Sequence, residues 1–228
     1  MATLASNRKG FITGASAGDY ETALVQSTGT ATDSATGNQT TCIQYFQSSG
    51  RGGGTFRFVR TFIHFDTSGI SGASSISLQL TSVAGDASNG IHNVTAVKHT
   101  AGTSNGGELA NADFNNVDKS TAYSGATAYG SSGTITFTLN AAAATQINNN
   151  NDFNIALLLT ADVAGEEESP LESDGNISNG IAFSSAINLV YTAAATGYSN
   201  TVNTVADDNI AKVNTVATAN IGKVIAVG

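Results

Sequence analysis

Apolar and polar residues alternate with a period of two along much of this chain. Ile135, Phe137 and Leu139 are interleaved with Thr134, Thr136 and Thr138, and Ile187, Leu189 and Tyr191 repeat the scheme. Each run predicts a strand with one face inward and the other toward water. Two runs break the alternation. Across 56–65, Phe56, Phe58 and Phe62 fall on one face and Val59, Ile63 and Phe65 on the other, so this strand is buried on both sides, inside a sandwich or under a partner. The run IALLL at 155–159 is continuously apolar and predicts a central strand. Further strands are predicted at 21–26, 41–47, 75–83, 91–98, 153–160, 180–184 and 187–192, between Gly, Ser and Asn clusters. That rhythm predicts an all-β antiparallel β-sandwich over 20–192, preceded by an N-terminal arm at 1–19. One helix is predicted at 140–147, where Asn140 is a favoured N-cap and four alanines follow. Long polar connections are expected at 27–40 and 101–133, and GRGGG at 50–54 reads as a hairpin tip rather than a phosphate loop, lacking the Lys-Ser/Thr ending.

Beyond the sandwich, at 193–228, the pattern changes period. VNTVADDNIAK at 202–212 is followed by VNTVATANIGK at 213–223, and eight of eleven positions are identical. On a helix, Val202, Val205, Ile210, Val213, Val216, Ile221, Val224 and Val227 share less than half the circumference, and an eleven-residue repeat would wind as a right-handed supercoil. Val, Thr, Ile and Asn are poor helix formers, and the same residues suit short strands and turns about a fibre axis. In either form the apolar stripe needs cover, from the chain's own sandwich or from other copies. Because identical contacts recur at each period, these eight residues are expected to make a homo-oligomer, with a trimer favoured.

Composition narrows the function. Of 228 residues only 11% are charged, with a net charge of −8. Nucleic-acid binding needs clustered Lys and Arg, and anionic lipid repels such a chain, so neither partner is expected. No apolar run reaches the ~18 residues of a membrane span, and the first residues lack the apolar core of a signal peptide. Cys42, among Ile43, Tyr45 and Phe46, reads as a buried thiol.

The segment RTFIHFDTSGI at 60–70, followed by SGASSISLQL, resembles the opening of DNRLRE-type domains, in which an Arg-x-Phe-x-x-Phe-Asp-x-Ser strand leads into a second strand. Arg60, Phe65, Asp66, Leu78 and Leu80 occupy the matching places. ELANADFNNVDKSTAYSGA from Glu108, TITFTLNAAAATQI, FNIALLL and IAFSSAINLVYT resemble the remaining landmarks in order, over roughly 20–192. The resemblance implies a jelly-roll sandwich similar to carbohydrate-binding modules, found in extracellular polysaccharide-active proteins and in structural proteins of tailed phages. Ile210 to Asn214 is similar to C-terminal repeats of marine phage virion proteins. The chain departs in having no Trp, which counts against sugar stacking on a Trp platform.

A search for chemistry finds little. His92 and His99 lie at the two ends of one predicted strand, ~23 Å apart at ~3.3 Å per residue, and cannot share a metal. His64 alternates with apolar neighbours and reads as a hydrogen-bonded core or subunit-contact residue. Asp66, before Thr67, Ser68 and Gly69, is suited to closing a turn. Glu166, Glu167, Glu168, Glu172 and Asp174 form an acidic loop around Pro170. It is expected to be solvated, with calcium held through Glu166, Glu168 and Asp174 as the alternative and no other cofactor. Tyr20, Tyr123, Tyr129 and Tyr198 lie in polar stretches, and Tyr123 and Tyr129 are the candidate glycan contacts. The expectation is a non-enzymatic virion structural protein, a capsid decoration protein or fibre, made in the host cytoplasm and displayed on the virion surface beside other virion proteins. A carbohydrate-binding module for host or environmental polysaccharide is the alternative.

Overall fold

The computed structural model describes residues 1–33, 40–48, 54–86, 93–102, 107–129, 132–165, 177–194, 212–213 and 216–217. The chain divides into two compact units, Met1–Thr192 and Ala193–Gly228. The first contains, in order, β1 (Ala2–Ala5), β2 (Arg8–Gly14), α1 (Tyr20–Leu24), β3 (Gly29–Asp33), β4 (Thr40–Ser48), β5 (Gly54–Asp66), β6 (Ser74–Asp86), β7 (Asn93–His99), a 3-10 turn (Asn111–Asn115), β8 (Val117–Ala122), β9 (Thr127–Ala128), β10 (Gly133–Thr138), α2 (Ala141–Asn149), β11 (Asp152–Leu159), α3 (Thr160–Ala164) and β12 (Ile177–Thr192). It is the expected antiparallel sandwich. All the described strand pairings of this unit are antiparallel.

The two-faced strand organises both layers. β2 pairs with β5 from Val59 to His64, while β11 takes Thr61 to Asp66 and β4 takes Gly54 to Val59. β4 and β11 therefore share one edge of β5 end to end, opposite β2. From β11 one layer continues through β7 to β8, with β3 beyond β2. From β4 the ladder turns into the second layer, β12, β6 and β10. Between the layers lie Ile63, Phe65, Leu78, Leu80, Phe137, Phe153, Ile155, Phe183 and Leu189, each almost wholly buried. Side chains alternate along a strand, so Phe58, Phe62, Ala156 and Leu158 face the other way. There Tyr20, Ala23 and Leu24 of α1 and Phe114 of the 3-10 turn cover them. Both faces of β5 and β11 are thus buried, as the runs over 56–65 and 155–159 predict.

Three expectations are corrected. Residues 1–19 are not an arm: β1 pairs with β12 and β2 with β3 and β5, so the N-terminus ties one layer to the other. The strand predicted at 21–26 is the helix α1. Asp19 caps it through Thr22 N at 2.7 Å, and Tyr20, Ala23 and Leu24 meet the sheet at helical spacing. The connections at 27–40 and 101–133 carry β3, the 3-10 turn, β8 and β9. The predicted helix is α2: Asn140 Oδ1 accepts from Ala142 N and Ala143 N.

In the second unit, the described residues form β13 (Lys212–Val213) and β14 (Val216–Ala217), paired antiparallel with Val213 opposite Val216. At these four residues of the repeat the backbone is extended. The remaining positions singled out there, Val202, Val205, Ile210, Ile221, Val224 and Val227, lie outside the described residues.

Candidate functional site

The polar groups buried under the cap of the first layer are bound to one another. Arg60 on β5 is fully buried on the α1 side, where Nε donates to Asp162 Oδ2 and Nη2 to Asp162 Oδ1, both at 2.8 Å. Nη2 also donates to Leu24 O at 2.9 Å and Nη1 to Phe114 O at 2.8 Å. The guanidinium carbon lies 4.2 Å from the Phe114 ring centroid. One planar fork therefore binds the last carbonyl of α1, the 3-10 turn and α3 at once, a geometry that Arg supplies and Lys cannot. Lys119 Nζ on β8 adds a 2.9 Å bond to Asp162 Oδ1. Burial alone would raise the Asp162 carboxyl, but Arg60 and then Lys119 outweigh it and hold it below the usual range.

The two described histidines are also engaged. His64 is 2% exposed, with Nδ1 2.6 Å from Asn7 Oδ1 and Nε2 2.7 Å from Asp152 Oδ1. It is a hydrogen-bonded core residue, one of the readings its neighbours suggest, and it links the β1–β2 connection to the start of β11. His99 accepts from Ala101 N at 3.2 Å through Nδ1, so its Nε2–H donates to Ile63 O at 3.1 Å. Burial pushes the ring down to about 4, and it is neutral near pH 7. Asp113 Oδ2 accepts from Ala110 N and Gly102 N. Asp66 Oδ1 accepts from Ser68 N at 3.0 Å, closing the turn expected of it.

The candidate glycan contacts are not brought together at the surface. Tyr123 is 2% exposed, its ring 5.1 Å from that of Phe153. It is a core residue, because the chain enters the core where Tyr123 N and Ser124 N bond to Ala96 O. Burial raises its hydroxyl to about 12. Tyr20 is buried in α1, with its ring edge-on to Phe56 and Phe58. Tyr129 is half-buried against the core. Glu166, Glu168 and Asp174, His92, Tyr198 and the Cys42 side chain lie outside what the structure describes. Among the described residues no group of three His, Cys, Asp or Glu is placed to hold a metal, and no helix is long and apolar enough to cross a membrane.

Opposite the capped face, the outer face of β10, β6, β12 and β1 is covered by no described element. Register across the four strands sets Thr136, Gln79, Asn188 and Ala5 in one row and Thr138, Ser77, Val190 and Thr3 in the next, with Thr134 beside Thr81. None of these side chains is charged. Where β6 and β10 meet α2 lies an open groove of about 480 Å³ lined by Ser75, Ser77, Thr136, Thr138 and Asn140 together with the apolar Ile76, Leu139, Ala141 and Ala144. Ser75 there adopts φ 50°, left-handed backbone that a side chain makes costly. The alternation of Thr134, Thr136 and Thr138 made this face legible in the sequence. Asp162, Lys119 and Asp113 carried no such signal, since their partners are fixed only by the fold. No protein-family model matches the chain, and a search of curated proteins finds no significant relative.

Proposed function

We propose that this chain is a non-enzymatic structural protein of a tailed-phage virion, a capsid decoration protein or fibre, whose sandwich is displayed and whose C-terminal repeat organises a homo-oligomer. The observation that carries this reading is the division at Thr192 between a sandwich and a separate repeat-bearing unit. Within the sandwich, Arg60, Asp162, His64, His99 and Asp113 are occupied in tying its parts together, which supports a scaffold role. Pairing of Val213 with Val216 supports an extended form of the repeat, suited to lateral contact between identical chains. Purified particles probed with an antibody to the sandwich test the reading. Surface labelling of intact particles is expected, and absence of the chain from particles overturns it.

A second reading has its own observation. The uncharged hydroxyl and amide face, with its groove, suits a neutral polysaccharide that exchanges hydrogen bonds without ion pairing. Glycan-array binding that Thr136→Lys abolishes would favour it, and with Tyr123 buried it does not depend on that ring.

A further inference from the structure

We propose that the edge of β10 that no described strand pairs with is a copy-to-copy contact: two chains pair antiparallel through Gly133–Thr138 and join their outer layers across a two-fold axis. This rests on the assembly reading above and adds to it a contact independent of the repeat.

β10 ends its layer, hydrogen-bonded among the described strands only to β6. Just past its end Leu139 bridges Ser124 and Asn140 N donates to Tyr123 O at 2.9 Å, so the open stretch stops short of Leu139. Leu139 N donates to Ile76 O at 3.0 Å. By ladder alternation the backbones of Ile135 and Phe137 then also turn toward β6, and the N–H and C=O of Thr134 and Thr136 point outward. Unpaired edges invite other strands, and proteins block them with charge, bulges, shortness or cover. The other described edges carry such devices. β8 bears Asp118 and Lys119 and a register shift against β7. On β3, Ala31 N is taken by Asn111 Oδ1 at 2.9 Å. β1 has four residues. β10 has six, with Thr134, Thr136 and Thr138 exposed, and has neither charge nor proline.

Charge selects the partner. Copies that each carry −8 repel one another, and an uncharged contact adds no like-charge pair to that repulsion. β10 and the adjoining Thr, Ser, Gln and Asn rows offer such a contact. An antiparallel edge is also self-complementary, since each strand presents to its mate the alternation it receives, as a two-fold contact requires. The pair would merge two uncharged faces into one broad sheet.

Cysteine cross-linking in the full chain tests this. Thr134→Cys and Thr136→Cys, singly and together, place thiols on one side of the joint, where directly opposed positions lie within disulfide reach. Mild oxidation should yield interchain dimers from at least one of the three variants, well above the background from Cys42 alone. Thr81→Cys, on the same face but one strand inward, should stay at background. Thr134→Lys/Thr136→Lys should raise the dimer dissociation constant at least about tenfold in sedimentation, with the melting temperature unchanged at a dilution where both proteins are monomeric. Raising salt from about 0.05 to about 0.5 M should tighten the wild-type pair, because like charges are screened. Cross-linking no better than Thr81→Cys, with the lysine variant associating as wild type, overturns the inference, whether the edge is left bare or taken by a foreign strand. Val205→Asp/Val216→Asp separates the two readings. If it lowers the assembled mass while the β10 disulfide persists, both contacts exist; if it changes nothing while the lysine pair dissolves the dimer, the edge stands and the repeat reading fails.

Discussion

The two outer faces of the sandwich are built from the same alternating strands and end in opposite conditions. Behind β5 and β11 the outer face carries Phe58, Phe62, Ala156 and Leu158, and the chain covers it with α1, the 3-10 turn and α3, bound through Arg60. Behind β6 and β10 it carries Thr, Ser, Gln and Asn, and nothing described covers it. An apolar outer face must be covered, and the cover brings backbone carbonyls and carboxylates that need a buried cation. A hydroxyl face needs none of this. Buried polar groups that must be bound are therefore concentrated under one outer face, and exposed hydroxyls and amides lie on the other.

The sharpest way to break that contrast is to cut the cap. Asp162→Ala leaves the Arg60 guanidinium buried without its counter-ion and should cost ~3–5 kcal/mol in chemical denaturation. Phe62→Ala, beneath the same cap, should cost a similar ~3–5 kcal/mol. A loss below about 1 kcal/mol in either would show that the cap does not hold this face.

Acid should strike the capped side next. His99 is held neutral, at about 4 in the folded state, against ~6.5 in the unfolded chain. Above pH ~6.5 neither state takes the proton. Between there and about 4 the unfolded chain binds a proton that the folded chain refuses, so stability falls as pH falls, by about 3 kcal/mol from this residue. Comparing wild type with His99→Gln by denaturation at several pH values isolates the effect, and equal pH slopes would exclude it. Asp162, held low, contributes stability that is present above the ordinary carboxylate range and is lost only at more acid pH.

Smaller effects sharpen the hydroxyl side. Asn140→Ala removes the cap of α2 beside the groove and should lower stability by ~1 kcal/mol. Thr136→Lys on the exposed face should stay within ~0.5 kcal/mol while altering association or glycan binding. If Thr136→Lys destabilised as much as Asp162→Ala, the two faces would not differ as described.

Much of this was legible in the chain because it rests on local periodicity. The two-faced run at 56–65, the apolar run at 155–159, the Thr alternation of β10 and the Asn140 cap each follow from spacing or from one side chain beside its own backbone. The misreadings share a cause. α1 has five residues, too few for a helical period to outweigh the β-branched Thr22 and Val25. Residues 1–19 read as an arm because strand pairing with β12 and β5 lies far along the chain. Tyr123 stood in a polar stretch, and only its approach to Phe153, on β11, makes it core.

By itself the sequence determined the alternation, hence the layered β architecture, the low overall charge and the separate repeat, since these depend on residue type and near neighbours. Tertiary structure alone decided that Arg60 meets Asp162, 102 residues away, that His64 joins Asn7 to Asp152, and that β10 is an edge. Each depends on which distant strands close on one another, and many closures share the same local pattern.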